Sequence, residues 1–233
     1  MPAKTFTNVV EAIDGAARIA FALLTPFLGS RRSRWGATDE EVRQTLPGDD
    51  LAPNSKGGFT HAITIDAPAP DVWPWMVQMG QGRGGFYSYE LLENITGCDI
   101  HNADRIIPDL QDLKVGDSIK LHPTFPEYPV ASIEPCRALV LNQLTDQQTG
   151  EVLRPGDRIP PKFVNSTWSW FLEQHDERTT RLISRFRNDF SPSFGNRMGY
   201  ASPLIEAISN TMGRKMLLGI KQCVETAARS DNE

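Results

Sequence analysis

The sequence predicts an α+β domain in which an antiparallel sheet of six to seven strands curves around a long C-terminal helix. Apolar and polar residues alternate with a period of two in a series of segments, and a helical stripe closes the chain. A length of 233 residues with 39% apolar composition allows one main domain with a sizeable core.

The first predicted element is an amphipathic helix, because apolar residues recur at helical spacing from Val9 to Phe27. Its uncharged run, Ile19 to Gly29, is shorter than the ~20 residues that span a bilayer. A cleaved signal peptide does not fit either, because the basic cluster Arg31 to Arg34 follows the apolar stretch. The apolar face could lie on an anionic membrane surface, but we favour packing on the body of the protein.

A domain boundary is predicted near residue 50. Residues 1–50 form the N-terminal helix and connector, and residues 51–233 form the ligand-binding domain. The stretch from Trp35 to Lys56 is polar and contains several prolines and glycines, which is typical of an extended connector on the surface.

The main domain begins with a strand from Phe59 to Asp66, followed by two short helices. The first begins at Pro70 and the second covers Tyr89 to Ile95, with Ser88 as its expected cap and Gly97 at its end. The later strands are Asp117 to His122, Tyr128 to Ile133, Ala138 to Leu144, Phe163 to Gln174 and Thr179 to Asp189. A last helix from Ser202 and Pro203 to Ala227 would be ~35–40 Å long.

Four sequence runs are more specific than this order of elements. They are WGATDEEV (35–42), LPGDDL (46–51), ITIDAPAPDVWPWMVQMGQGRGGFYSYELLE (63–93) and HNADRIIPDLQDLKVGD (101–117). The chain thereby resembles a bacterial branch of the START-like (SRPBCC) superfamily, which includes plant pollen allergens and bacterial polyketide cyclases. The resemblance implies the helix-grip fold and an elongated cavity between the sheet and the last helix. Members carry lipids, sterols or hormones, or cyclise polyketides, so the fold does not choose among these functions.

Composition removes several kinds of partner. A net charge of -5 argues against nucleic acid as a partner, because a basic face is needed to displace counterions.

The three cysteines, Cys98, Cys136 and Cys223, lie far apart and predict free thiols in a reducing cytoplasm. The motif Gly80, Gly82 and Gly85 follows a predicted helix, whereas a dinucleotide-binding fingerprint follows a strand. We therefore expect no cofactor, and the scattered histidines predict no metal site.

An unusually polar stretch between residues 78 and 105 is the leading candidate site. An arginine with a tyrosine could hold a carboxylate or enolate, and a histidine or carboxylate nearby could move protons. The alternative is a salt-bridged structural loop. The candidate catalytic residues are Tyr87, His101 and Asp104. The candidate substrate-binding residues are Gln81, Arg83, Tyr89, Glu90, Arg105, Trp168, Trp170 and Arg185.

Two of the strands contribute to this set. Trp168 and Trp170 share one face of their strand, so they pack in the core or line the cavity. Arg185 and Arg187 also share a face, but parity alone leaves open whether that face is buried. If these arginines point inward, the expected ligand is anionic.

Three functions remain open. The first is binding of a hydrophobic small molecule, lipid-like or aromatic and polyketide-like, in an internal cavity. The second is a cofactor-independent polyketide cyclase or dehydratase with acid and base residues at the cavity mouth. The third is a regulatory protein, or one associated with the membrane periphery through its N-terminal helix.

Overall fold

The central element of the fold is one antiparallel sheet. The computed structural model describes residues 2–154 and 157–230. The strands are β1 (Gly57–Ile65), β2 (Ser118–Ile119), β3 (Tyr128–Glu134), β4 (Ala138–Asp146), β5 (Val152–Leu153), β6 (Phe163–Gln174) and β7 (Thr180–Phe190). They form one antiparallel sheet in the order β1-β7-β6-β4-β3-β2, with β5 paired to β4. Apart from the short β5, the chain runs from β2 to β7 as a meander, and β1 adds to the edge of β7.

Helices lie on both sides of the sheet. They are α1 (Pro2–Leu24), α2 (Gly29–Arg32), α3 (Asp39–Arg43), α4 (Ala69–Val77), α5 (Glu90–Ile95), α6 (Phe194–Ala201) and α7 (Pro203–Ser230). Met216 and Ile220 of α7 are buried in one apolar cluster with Trp170 and Leu182 of the sheet. The chain therefore has the predicted helix-grip arrangement, a curved seven-stranded antiparallel sheet against a long C-terminal helix.

Alternation along the strands separates the two faces of the sheet. Directly opposed residues share a face, and His61 lies opposite Ser184 while Thr60 lies opposite Arg185. Ser184, Phe186 and Leu182 face α7, whereas Ile183 packs in a separate cluster with Leu46. The outer face is thus covered as well, and the residues that cover it belong to the connector.

The connector differs from the extended segment expected. It contains α3, whose first turn is fixed by a capping box: Thr38 Oγ1 accepts from Glu41 N, and Glu41 Oε2 accepts from Thr38 N. Arg181 of β7 donates to Glu41 Oε1 at 2.6 Å and so holds the connector to the sheet. The sequence contains this capping-box pattern, Thr38 followed by Glu41, and the pattern predicts a helix start. The expectation of an extended connector did not take it into account.

Besides α2 and α3, strand β5 and helix α6 were not predicted, and one cap was predicted wrongly. Strand β5 has only two residues, too few for a period, and α6 is an eight-residue helix that precedes α7. Ser88 does not cap α5; its Oγ donates to Met212 O at 3.2 Å. Gly97 takes the expected left-handed conformation, with φ of 93°.

The N-terminal helix packs on the body of the protein, through a narrow stripe of small residues. Ala12, Gly15 and Ala22 are buried, and Lys215 of α7 donates to Glu11 Oε1 at 2.7 Å. A Cβ on Gly15 would lie 2.7 Å from Leu92 Cδ1, so glycine permits the close approach of α1 to α5. Within the described residues no single helix is long and apolar enough to cross a bilayer; Thr7–Leu24 with Pro26–Arg32 passes only as a pair bent by 101°.

Candidate functional site

A cavity of about 240 Å³ lies between the inner face of the sheet and the N-terminal half of α7. Its walls are mainly aromatic and thioether side chains, which suit an apolar or planar molecule. The lining residues are Phe59, Phe86, Ser88, Glu93, Leu121, Trp168, Phe186, Ile208, Ser209, Met212, Gly213 and Met216.

Glu93 is the single ionisable residue of this lining. The residue is half-buried, but its Oε2 atom is fully buried and has no hydrogen-bond partner among the described residues. Burial, with a smaller contribution from the charge of Glu90, raises the pKa of the Glu93 carboxyl to about 8. At neutral pH this group is mostly a neutral acid that can donate a hydrogen bond into the cavity.

Glu93 was not among the predicted site residues. It occupies an ordinary position in a short helix, and no local pattern marks it. Much of its environment comes from β6, β7 and α7, which are distant in sequence, so only the tertiary structure identifies it. Its neighbours Tyr89 and Glu90 belong to the polar stretch that the sequence marks as a candidate site.

The aromatic walls are fixed by hydrogen bonds and stacking. Trp168 Nε1 donates to Ser184 Oγ at 3.0 Å, so this indole has its polar atom satisfied inside the sheet. Phe59 stacks on His61 with ring centroids 4.2 Å apart. The pKa of buried His61 is lowered to about 4, chiefly by desolvation, so the ring is neutral at physiological pH. The wall beside Phe59 therefore carries no charge.

Trp168 and Trp170 share the inner face, as the strand parity required. Their ring centroids are 4.6 Å apart, but only Trp168 lines the cavity, while Trp170 lies deeper in the apolar core. The sequence left open whether these side chains pack or line a cavity, and the structure divides them between the two roles.

The arginine of the glycine-rich bend turns away from the cavity. Arg83 donates to Val77 O, Met79 O and Leu110 O at 2.9, 3.1 and 3.2 Å, so it satisfies carbonyls at the end of α4 and ties them to a distant loop. Arg83 is therefore placed as a structural tie. Gln81 lies in the same bend, where its backbone amide donates to Lys120 O.

Tyr87 is buried in the polar network beneath this bend. Its hydroxyl accepts a hydrogen bond from Gln78 Nε2 at 2.7 Å. Burial raises the pKa of the Tyr87 phenol above its ordinary value. The same Gln78 amide donates to Arg105 O, while the Arg105 side chain is exposed. The backbone of Tyr87 is left-handed, with φ of 56°, and its amide donates to Asn102 Oδ1 at 2.7 Å.

The remaining polar residues lie on a separate open groove between α1, α7 and the 101–104 loop. His101, Asp104, Glu90 and part of Tyr87 line it. His101 is exposed, with Nε2 3.2 Å from Asp99 Oδ1 and Nδ1 3.6 Å from Glu90 Oε1. The expected convergence of Arg83, Tyr87, His101, Asp104 and Arg105 at one end of the cavity is therefore wrong. Polar side chains near chain turns point to whichever backbone groups need partners, and here those groups lie outside the cavity.

Tyr89 and Arg185 also lie away from the cavity. The Tyr89 hydroxyl donates to Asp14 Oδ2 at 2.8 Å and links α1 to the domain, and burial raises its pKa to about 12. Arg185 points to the outer face, where it donates to Asp49 Oδ2 and to connector carbonyls. An anionic ligand held by Arg185 in the cavity is thus excluded by geometry. Across the described residues, no three histidine, cysteine, aspartate or glutamate side chains are grouped to hold a metal ion.

Comparison with known proteins gives distant likenesses. No family model matches the chain, and no curated protein matches it. Norcoclaurine synthase from Thalictrum flavum is 16% identical over 78% of this chain and 95% of that one, with a TM-score of 0.39. The self-sacrificing resistance protein CalC from Micromonospora echinospora is 12% identical over 75% and 97%, with a TM-score of 0.38. A polyketide-cyclase-like protein from Corynebacterium glutamicum is 16% identical over 72% and 87%, with a TM-score of 0.31. Such values assign no activity; the helix-grip fold rests on this chain's own strand order and long last helix.

Proposed function

We propose that the protein binds a small, largely apolar molecule in the cavity between the sheet and α7. The observation that carries the proposal is a cavity with aromatic walls and one neutral carboxyl group, Glu93, at its lining. An apolar pocket with few convergent polar groups is the usual form of a small-molecule site.

The lining also narrows the chemistry of the ligand. Phe59, Trp168 and Phe186 offer faces and edges for a planar ring, while Met212 and Met216 adapt to its outline. A neutral carboxyl donates to a carbonyl or ether oxygen, and an ionised ligand carboxylate would meet no cation in this lining. We therefore propose an uncharged aromatic or polyketide-like ligand with a carbonyl oxygen at one end.

The test is binding of a neutral aromatic ketone, monitored by quenching of tryptophan fluorescence. Trp168 lies in the cavity wall, so binding is expected to quench its emission, and Trp168→Phe identifies that part of the signal. Ile208→Trp adds an indole to the lining and is expected to weaken binding at least tenfold. Thr226→Trp, at an exposed position on the same helix, is the matched control and is expected to bind normally. Equal binding by both variants would contradict the location.

A second candidate is catalysis of a cyclisation or dehydration, and the neutral acid favours it. A carboxyl group with a pKa near the working pH can give a proton to a hydroxyl leaving group or to a developing enolate. Glu93→Gln keeps a hydrogen-bond donor but cannot transfer a proton. Turnover of a linear polyketide analogue that is lost in Glu93→Gln while binding persists would support the enzyme; binding without turnover by the wild type would favour the carrier.

A further inference from the structure

The outer face of α1 and the corner that follows it are apolar and exposed. The helix buries small residues against the body of the protein, whereas Leu24 and Phe27 are each 79% exposed. Amphipathic helices of soluble domains ordinarily bury their large apolar residues. Here Val9, Val10, Ile13, Phe21, Leu23, Leu24 and Phe27 all remain accessible.

A second exposed apolar group lies on α6 and the start of α7. Phe194 is 81% exposed, and Met198 and Leu204 are about half exposed. These elements neighbour α2: a Cβ on Gly29 would lie 2.7 Å from Glu206 Oε1, and Ser30 lines one groove together with Tyr200. The two exposed groups therefore lie on adjoining elements. We call them together the corner surface, defined by Leu24, Phe27, Arg31, Phe194, Arg197, Met198 and Leu204.

Charge distinguishes the corner surface from the rest of the chain. Between Asp14 and Asp39 the sequence contains four arginines and no acidic residue, although the chain as a whole has a net charge of -5. Between Asp189 and Glu206 it contains Arg197 and again no acidic residue. Arg32 is used internally, donating to Thr25 O and Ala22 O, but Arg31 and Arg197 are exposed beside the apolar side chains.

We propose that the corner surface docks on the anionic surface of a lipid bilayer. Exposed Phe and Leu side chains next to Arg31 and Arg197 form the pattern of helices that lie in the interfacial region of a membrane, although the exposed carboxylate of Glu206 lies beside Gly29. The sharp bend between α1 and the Pro26–Arg32 segment places Phe27 at a corner, where it can enter the interface without a spanning helix. The rim of a protein interface commonly contains both acidic and basic residues. Here both segments contain arginines and no acidic residue, with Glu206 immediately after the second, and this excess of basic side chains favours an anionic lipid surface.

The experiment is flotation of the full chain with vesicles of neutral phosphatidylcholine and with vesicles that contain phosphatidylglycerol. Binding is expected for the anionic vesicles, with a decrease as salt is raised. Replacing Arg31 or Arg197 with alanine is expected to weaken binding about fivefold each, the value for one basic residue at an anionic surface. The variant Phe27→Ser with Phe194→Ser is expected to lose at least tenfold.

The matched control is Val115→Ser with Phe125→Ser, which removes two other exposed apolar side chains far from the corner surface in sequence. It is expected to bind vesicles like the wild type, and all variants are checked for an unchanged melting temperature. Absence of vesicle binding, or equal binding by the corner and control variants, overturns the proposal. A dimer seen by light scattering that is lost in Phe27→Ser would overturn it in favour of self-association. Ligand quenching measured on the same variants reports on the cavity separately.

Discussion

Arg185 and Asp49 form an ion pair at 2.5 Å on the outer face of the sheet, where the arginine side chain is 4% exposed. The pair joins β7 to the connector, and the guanidinium also donates to Glu41 O at 2.6 Å and to Gln44 O at 2.9 Å. The connector is thus fixed to the side of the sheet opposite the cavity.

Arg185→Ala is expected to lower the free energy of unfolding by about 3–5 kcal/mol, because it leaves a half-buried carboxylate and several carbonyls without their partner. Urea denaturation measures the change. Arg187→Ala is the control, since Arg187 is more exposed and lies 3.5 Å from Asp49 Oδ1. Ligand affinity per folded molecule is expected to stay unchanged in both variants; a loss of affinity would place the outer face in the binding mechanism.

Arg83→Ala is expected to lower the free energy of unfolding by about 1–3 kcal/mol, because three carbonyl oxygens lose a charged donor. Tyr87→Phe is expected to cost about 1 kcal/mol through its bond with Gln78. Both effects are measured by thermal unfolding. Cavity binding, followed by tryptophan quenching, is expected to be retained. Weaker ligand binding with unchanged stability would instead indicate that Arg83 and Tyr87 take part in binding.

The pH dependence of stability tests Glu93. Its pKa rises from 4.5 to about 8 on folding, so the unfolded chain binds fewer protons between these values and stability falls as pH rises through this window. Glu93→Gln removes this titration. Between about pH 5 and pH 8 the wild type is expected to lose on the order of 2–4 kcal/mol relative to the variant, less than the full difference because water relaxes around a half-buried group. If the stability of the wild type and of Glu93→Gln depended on pH in the same way, the pKa of Glu93 would not be raised in the folded protein.

Gly15→Leu tests the docking of α1. Its Cβ would lie 2.7 Å from Leu92 Cδ1 and 3.1 Å from the Tyr89 ring, so these side chains or the helix must shift. A loss of about 1–3 kcal/mol is expected from this overpacking, measured by chemical denaturation. Ala16→Leu, at the next and exposed position, is the control and is expected to be nearly neutral. Equal stability of the two variants would mean that α1 contributes little to the fold.

Much of the sheet could be predicted from the sequence because one face of the longer strands packs in the apolar core that includes α7, and the alternation of apolar and polar residues reflects that burial. In β6, Trp168, Trp170 and Leu172 share the inner face as their spacing requires. Alternation could not show which face of the sheet the arginines of β7 occupy. The connector covers the outer face, so the residues on both faces of β7 are largely buried. Helix α6 was missed because its large residues, such as Phe194, are exposed and give no core stripe.

The candidate site was less predictable. Arginine, tyrosine and histidine were selected as residue types that do chemistry, yet in this fold Arg83 and Tyr87 satisfy backbone and amide groups. Glu93 gains its character from neighbours that are brought to it by folding. A search by residue type identifies polar side chains in the sequence. A ligand-binding site needs a polar group that has no hydrogen-bond partner within the folded protein, and the sequence alone does not show which groups these are.

Phe59, Phe186 and Ser209 form a partition, because they line both the ligand cavity and a second space beside α2. The second compartment has a different character, with Lys56, Asn188 and Asn210 among its lining residues. A short apolar molecule fits on the inner side alone. If the proposed ligand were longer and had a polar tail, it would reach the second space past the Phe59 ring, which stacks on His61. On the proposed function, the length of the ligand would determine whether the Phe59 ring is displaced, and a change in the environment of His61 would report that displacement.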